Sequence, residues 1–153
     1  MPGFDAIYKQ TVTVFNRVVE GESTKWYATV ISGVHLVIDQ SIIVATYGEQ
    51  SSDNALLHIR YKDINGEAVV GGKTYMKPKV FRASGDPYWN ITFAYGDEFD
   101  FIMAGAYPES GPINDDDYRN GFFNYMNKTY DDVFAITKVA KFNLLPHFEI
   151  VAR

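Results

Sequence analysis

The chain has 153 residues, a length that fits one domain able to bury its own core. A formal charge of −5 with scattered Lys and Arg argues against a protein that clamps nucleic acid through phosphate contacts. Cysteine is absent, which excludes disulfides, thiol catalysis and thiolate metal sites, and 16% aromatic residues argue against a disordered chain.

The apolar stretches are shorter than the roughly 20 residues that span a bilayer, so the sequence predicts no membrane segment. Residues 1–5 lack the basic and apolar regions of a secretory signal. We therefore expect the protein to work where it is made.

The first quarter of the chain predicts a hairpin. Residues 11–18 form an alternating, β-branched run, which polar residues 20–23 interrupt. Residues 26–31 and 34–38 then resume the same character as two short strands. A short polar turn between strands is typical of a hairpin.

The middle of the chain predicts further short strands separated by turns. Residues 42–46 alternate and precede a polar loop at 48–54. The clearest half-buried strand is 57–61, which ends near Asn65-Gly66, a pair suited to a turn with positive φ. Further strand patterns follow at 71–75, 89–95 and 99–104, whereas 78–87 has little regular period.

One segment has a helical period, and it lies between residues 115 and 126. Asn114 would cap it, and Asp115, Asp116 and Asp117 would lie in its first turn, where the helix dipole favours negative charge. After it, residues 133–139 and 148–151 predict a second hairpin. These elements predict a single all-β, β-dominated domain over residues 1–153, a small β-barrel or β-sandwich with long loops and one short helix near residues 115–126.

The histidines are the first place to look for a metal ligand or a general base. His35, His58 and His147 have no ligand spacing such as His-x-x-x-His, and each lies in or beside a different predicted strand. We interpret them as strand-face or turn histidines. A metal site that only the folded chain assembles is left open.

Other motifs do not indicate catalysis. Three adjacent carboxylates at 115–117 diverge on a helix, so capping is favoured over binding of a hard cation. Residues 71–74 lack the earlier glycine and the following helix of a phosphate-binding loop, and there is no Gly-x-Ser-x-Gly. We predict that the protein is not an enzyme and has no catalytic residues, cofactor or metal.

Several segments, taken together in chain order, carry a resemblance to a known family; they are residues 11–17, 26–34, 96–105, 134–139 and 146–151. The chain resembles the small head-completion proteins of tailed bacteriophages, in particular the head-closure or stopper group and related minor capsid proteins. The resemblance implies a small β-barrel or β-sandwich, many copies of which form a ring between portal and tail. It carries over no catalytic residues.

The same resemblance implies a virion structural protein of the neck, assembled in the host cytoplasm, that seals the DNA channel and docks the tail. Its partners would be the portal or adaptor and tail proteins, and packaged DNA would pass without sequence-specific binding. Acidic loop residues are the candidates for lining the channel or contacting other subunits: Glu49, Asp53, Asp97, Asp115, Asp116 and Asp117. A negative lumen would repel phosphates and let DNA slide.

Three alternative functions stay open from the sequence. A tail-terminator or tail-completion protein would contact the tail tube instead of the portal. A stand-alone β-barrel that binds a small ligand would line its pocket with Trp26, Trp89 and tyrosines. A metal-dependent hydrolase would use the histidines and residues 115–117.

Overall fold

The computed structural model describes residues 7–38 and 55–153. The elements of these ranges are, in chain order, β1 (Gln10–Glu20), β2 (Ser23–Val37), β3 (Ala55–Arg60), β4 (Lys62–Ile64), β5 (Glu67–Val70), β6 (Lys73–Tyr75), α1 (Pro78–Ser84), β7 (Asn90–Ile91), β8 (Phe101–Ala104), β9 (Ile113–Asn114), a 3-10 turn (Asp115–Asp117), α2 (Phe122–Thr129), β10 (Val133–Phe142) and β11 (His147–Ala152). The predicted strand at 42–46 and loop at 48–54 lie outside the described residues. No helix in the described part of the chain has the length and apolar character needed to cross a bilayer.

Six antiparallel strands close into a barrel. Their order is β1-β8-β10-β11-β3-β2, and pairing of β2 with β1 completes the circle. The short β9 extends the sheet by pairing with the start of β2. The predicted β-barrel is therefore confirmed, and closure leaves these six strands with few unpaired edges.

Alternation along each strand fills the barrel with apolar side chains. Val12 and Val14 of β1 are fully buried and belong to the same hydrophobic cluster as Leu57 and Ile59 of β3. The residues between them face outward, as the period of two requires. The predicted strand at 57–61 is confirmed, with His58 on its outer face.

A second, four-stranded sheet packs against the same core. Its order is β4-β5-β6-β7, with β6 and β7 parallel. Asn65 and Gly66 both have positive φ in the β4–β5 turn, as predicted. The ammonium of Lys73 donates to Thr29 Oγ1 at 2.7 Å and to the Pro87 carbonyl at 2.8 Å, which ties this sheet to β2.

An aromatic layer covers part of the barrel's outer face. Phe15, Trp26 and Phe101 point outward from β1, β2 and the start of β8, and Phe122 and Met126 of α2 pack onto them. The Phe15 and Phe101 rings stack with centroids 4.4 Å apart. The short helix is confirmed, and its apolar side docks here.

Several boundaries differ from the prediction. The helix begins at Phe122 instead of 115, because Gly121 has φ +88° and residues 115–117 form a separate 3-10 turn. The predicted strands at 26–31 and 34–38 form one strand, β2, which continues through Gly33 and ends at Val37. Segment 78–87 contains the unpredicted helix α1, and the strand pattern at 89–95 shortens to β7.

Candidate functional site

The acidic residues predicted to line a channel lie in two groups. Glu49 and Asp53 are outside the described residues. Asp97 and Asp115 border one shallow surface depression beside α2, and the exposed Asp116 and Asp117 adjoin it. The fold thus brings Asp97 and the 115–117 turn together, although they are distant in sequence.

The carboxylate of Asp115 forms hydrogen bonds that stabilise the fold. Its Oδ1 accepts hydrogen bonds from the indole N–H of Trp26 at 2.9 Å and from the Phe122 backbone N–H at 2.8 Å. Phe122 is the first residue of α2, so this carboxylate caps the helix from outside it. The prediction that all three aspartates lie in the first turn of the helix is wrong, and only Asp115 stabilises the N-terminus.

Other charges at this surface are partly compensated. Glu98 forms an ion pair with Arg82 at 3.0 Å and lies 3.9 Å from Arg17. The acidic character of the depression therefore depends on the exposed carboxylates of Asp97, Asp116 and Asp117.

A second polar site lies on the outer face of the barrel, where all three histidines meet. His35 is directly opposite His58 in the β2–β3 pair, and His58 is directly opposite Glu149 in the β3–β11 pair. His147 lies diagonal to His58 on β11. The ring centroids are 5.7 Å apart for His35 and His58 and 6.0 Å apart for His58 and His147.

One carboxylate oxygen sits between two of these imidazoles. Glu149 Oε1 is 3.6 Å from His58 Nδ1 and 3.6 Å from His147 Nε2. One ligand atom from each of the three side chains lies within 4.8 Å of the other two. His58, His147 and Glu149 therefore direct three potential metal ligands toward a common position.

The protein fixes the orientation of His147. Its Nδ1 is 2.7 Å from the Leu145 carbonyl, and its ring stacks on Phe142 with centroids 4.8 Å apart and planes 9° apart. When Nδ1–H donates to the carbonyl, the lone pair of Nε2 points toward Glu149.

Burial sets the charge of His58. Removal from water lowers the pKa of His58, and it outweighs the opposing effect of the Glu149 carboxylate. Neutral imidazole, the form that binds metals, is therefore the dominant form of His58 at neutral pH.

Comparison with known proteins gives one family match. The family model of DUF6751, described as a family of unknown function, matches residues 7–153. The chain belongs to the DUF6751 family. Among curated proteins and solved structures, no match is found.

The histidines and the 115–117 turn of this DUF6751 chain form separate sites. Trp26, which binds Asp115, is near the start of β2, and His35 is near its end. Such positions are up to about 30 Å apart along an extended strand. The grouping of the histidines with residues 115–117, on which the hydrolase alternative depended, is therefore not formed.

The tryptophans do not share a pocket either. Trp26 is buried in the aromatic layer, whereas Trp89 is 73% exposed on a loop. The barrel interior is filled by apolar side chains. Nothing in the described residues therefore provides the Trp-lined cavity of a ligand-binding barrel.

Large apolar side chains are exposed at the end of the β10–β11 hairpin. Leu144 is 87% exposed and Leu145 is 64% exposed. The hairpin is held by Tyr61, whose hydroxyl lies 3.0 Å from both the Phe142 carbonyl and Asn143 Oδ1. The two leucines therefore form an apolar tip on an anchored turn.

Sequence reasoning missed the convergence of His58, His147 and Glu149. The sequence has no His-x-x-x-His or similar ligand spacing, and the register of one strand pair, β3 with β11, brings the three side chains together. Strand alternation does predict that His58 lies on the outer face of its strand, where it can meet side chains of neighbouring strands. The pairing of β3 with β11 is a tertiary choice that no local pattern encodes.

Proposed function

We propose that the chain is a head-to-tail connector subunit of a tailed bacteriophage, in the head-closure position, and that it works in a homo-oligomeric ring. The observation that carries this proposal is where the family-like segments fall in the fold. Residues 11–17, 26–34, 134–139 and 146–151 belong mainly to β1, β2, β10 and β11, and 96–105 includes β8. They are five of the six strands of the closed barrel, the fold that the resemblance implied.

The closed barrel supports association through side chains. A barrel offers few free strand edges, so neighbouring subunits would not join by adding strands. The β10–β11 hairpin instead presents Leu144 and Leu145 on an anchored tip. We assign this tip to contact with the neighbouring copy in the ring, since burial of two leucines there would contribute about 3 kcal/mol or more per contact.

The acidic depression supports a non-adhesive channel face. Asp97, Asp116 and Asp117 are exposed there, and the chain as a whole carries a net charge of −5. Carboxylates on a lumen repel DNA phosphates, so DNA would pass without sequence-specific binding. Asp115 also borders the depression, and its carboxylate caps α2 as well.

The test is assembly on the portal protein encoded by the same phage genome. The chain and portal are mixed, and complexes are measured by light scattering and negative-stain electron microscopy. We expect a ring of the chain on the portal, including when the free chain is monomeric. Absence of a complex would contradict the proposal, and a complex with the tail tube alone would reassign the chain to tail termination.

Variants of the hairpin tip sharpen the same experiment. Replacing both Leu144 and Leu145 with Ser should abolish the ring and leave the fold intact, because these side chains are exposed in the single subunit. Ile64→Ser is the matched control, since Ile64 is 50% exposed but lies on the separate sheet. Equal loss of assembly in both variants would contradict a specific role for the tip.

A further inference from the structure

We propose that His58, His147 and Glu149 bind one divalent transition-metal ion, of which Zn²⁺ is the expected example, on the outside of the barrel. The inference goes beyond the connector function and does not depend on it. It rests on three side chains from two paired strands whose ligand atoms converge.

Two of the three distances between the ligand atoms are close to those of a metal centre, and the two histidine nitrogens lie within 4.8 Å of each other. Ligands bound tetrahedrally to zinc at about 2.0–2.2 Å from the ion lie roughly 3.3–3.5 Å from one another. Glu149 Oε1 is 3.6 Å from each of the two histidine nitrogens. Small side-chain rotations would suffice to place an ion between them.

The surroundings of the site restrain the ligands. The Leu145 carbonyl and the Phe142 ring fix the orientation of His147. Such a hydrogen bond to the second imidazole nitrogen is the usual companion of a metal-bound histidine. His58 and Glu149 are held as a directly opposed pair in the β3–β11 register.

A cation beside the site, Arg60, packs over an aromatic ring. Arg60 lies opposite His147 in the β3–β11 register, and its guanidinium carbon is 4.4 Å from the centroid of the Tyr8 ring. A cation over an aromatic face is stabilised by that ring.

The ligand set selects the class of ion. Two imidazoles and one carboxylate suit Zn²⁺, Co²⁺, Ni²⁺ or Cu²⁺, whereas Mg²⁺ and Ca²⁺ require mainly oxygen ligands. Three protein ligands leave a coordination position for water. We therefore expect Zn²⁺ to bind and Mg²⁺ to have no effect.

The experiment is titration of the tag-free, chelator-treated chain with Zn²⁺ by calorimetry, and with Co²⁺ by visible absorption. Wild type should bind one ion per chain, and Co²⁺ should give the intense bands of a low-symmetry site. His147→Ala should weaken binding at least about 100-fold, since even outer partners of metal ligands contribute 10–100-fold. Glu149→Gln, which retains the shape of the side chain, should also weaken it.

His35→Ala is the matched control. His35 stacks on His58 in the same row but does not belong to the converging set, so this variant should bind Zn²⁺ nearly as wild type does. Circular dichroism in the presence of chelator checks that each variant is folded. If His147→Ala is not folded, Glu149→Gln serves as the test variant in its place. Wild type without stoichiometric Zn²⁺ binding, or equal losses in His35→Ala and Glu149→Gln, would overturn the proposal.

Discussion

Two polar groups built on the same barrel contrast in how their lone pairs are used. Inside the barrel, the buried carboxylate of Asp100 accepts hydrogen bonds from the Arg17 N–H at 2.9 Å, the Ala94 N–H at 2.9 Å and Asn16 Nδ2 at 3.0 Å. Outside it, the partly buried His58, His147 and Glu149 direct ligand atoms toward one another. The interior group is satisfied within the chain and holds the fold, whereas the exterior group is arranged for a ligand.

The largest expected effect is the loss of the Asp100 network. Asp100→Asn puts an amide N–H₂ against backbone or side-chain donors, so at least one buried donor loses its acceptor. We expect the free energy of unfolding at pH 5 to fall by about 3 kcal/mol, measured by urea denaturation. Asp97→Asn, an exposed change three positions away, is the control and should stay within about 0.5 kcal/mol. Similar small losses in both would remove the distinction between the two polar groups.

The pH dependence of stability probes the same carboxyl. Burial raises the pKa of Asp100 from 3.8 to about 7, outweighing its three hydrogen bonds and the nearby charge of Arg82. The folded chain therefore retains this proton up to about pH 7, whereas the unfolded chain releases it near 3.8. The resulting stabilisation is complete below pH 3.8 and is lost as the pH rises through about 7.

The measurement is the difference in unfolding free energy between wild type and Asp100→Asn at several pH values from 5 to 8. Because Asn does not titrate and all other groups are shared, the difference isolates Asp100. The advantage of wild type should shrink toward pH 8, with a slope of up to about 1.4 kcal/mol per pH unit. A difference that is flat, or that grows with pH, would contradict a raised pKa.

The sequence predicted the barrel strands better than either polar group. Strict alternation identified β3 and placed Asn16 on the same face as Val12 and Val14. Both long hairpins were predicted, the first of them from its polar turn. Asp100 was missed, although a carboxylate at the edge of an apolar strand is itself a signal. Two of its three donors, on Asn16 and Arg17, lie 84 and 83 residues away along the chain, so only the folded structure shows them.

The errors in the helix and the histidine row also have physical causes. The aromatic period around 118–126 was real, but Gly121 at φ +88° separates the 3-10 turn from α2. The histidines lie on β2, β3 and β11, whose order around the barrel is set by packing of the whole core. Local pattern therefore indicates which face a residue occupies, while tertiary pairing decides its neighbours.

Asp115 shares features with both polar groups. It was predicted as a surface residue, but its carboxylate forms hydrogen bonds that stabilise the fold. Asp115→Ala removes the acceptor of both the Trp26 indole and the first N–H of α2. We expect a loss of about 1–2 kcal/mol in thermal or urea unfolding. Asp116→Ala, its exposed neighbour, should change stability by less than about 0.5 kcal/mol. If Asp116→Ala were the more damaging variant, the assignment of Asp115 as the cap would be wrong.

The smallest expected effect on stability is that of removing His147 from the exterior group in the absence of metal. His147→Ala in the presence of a chelator loses a stacking contact with Phe142 and a partly exposed contact with Glu149, so we expect a cost of at most about 1 kcal/mol. Adding Zn²⁺ should then stabilise wild type and His35→Ala but not His147→Ala, because only a ligand that binds the folded state raises stability. A chelator-independent loss near that of Asp100→Asn would make His147 a structural residue. In that outcome the inner and outer polar groups would serve the same purpose, and the arrangement of lone pairs would not distinguish a binding site from a fold-holding network.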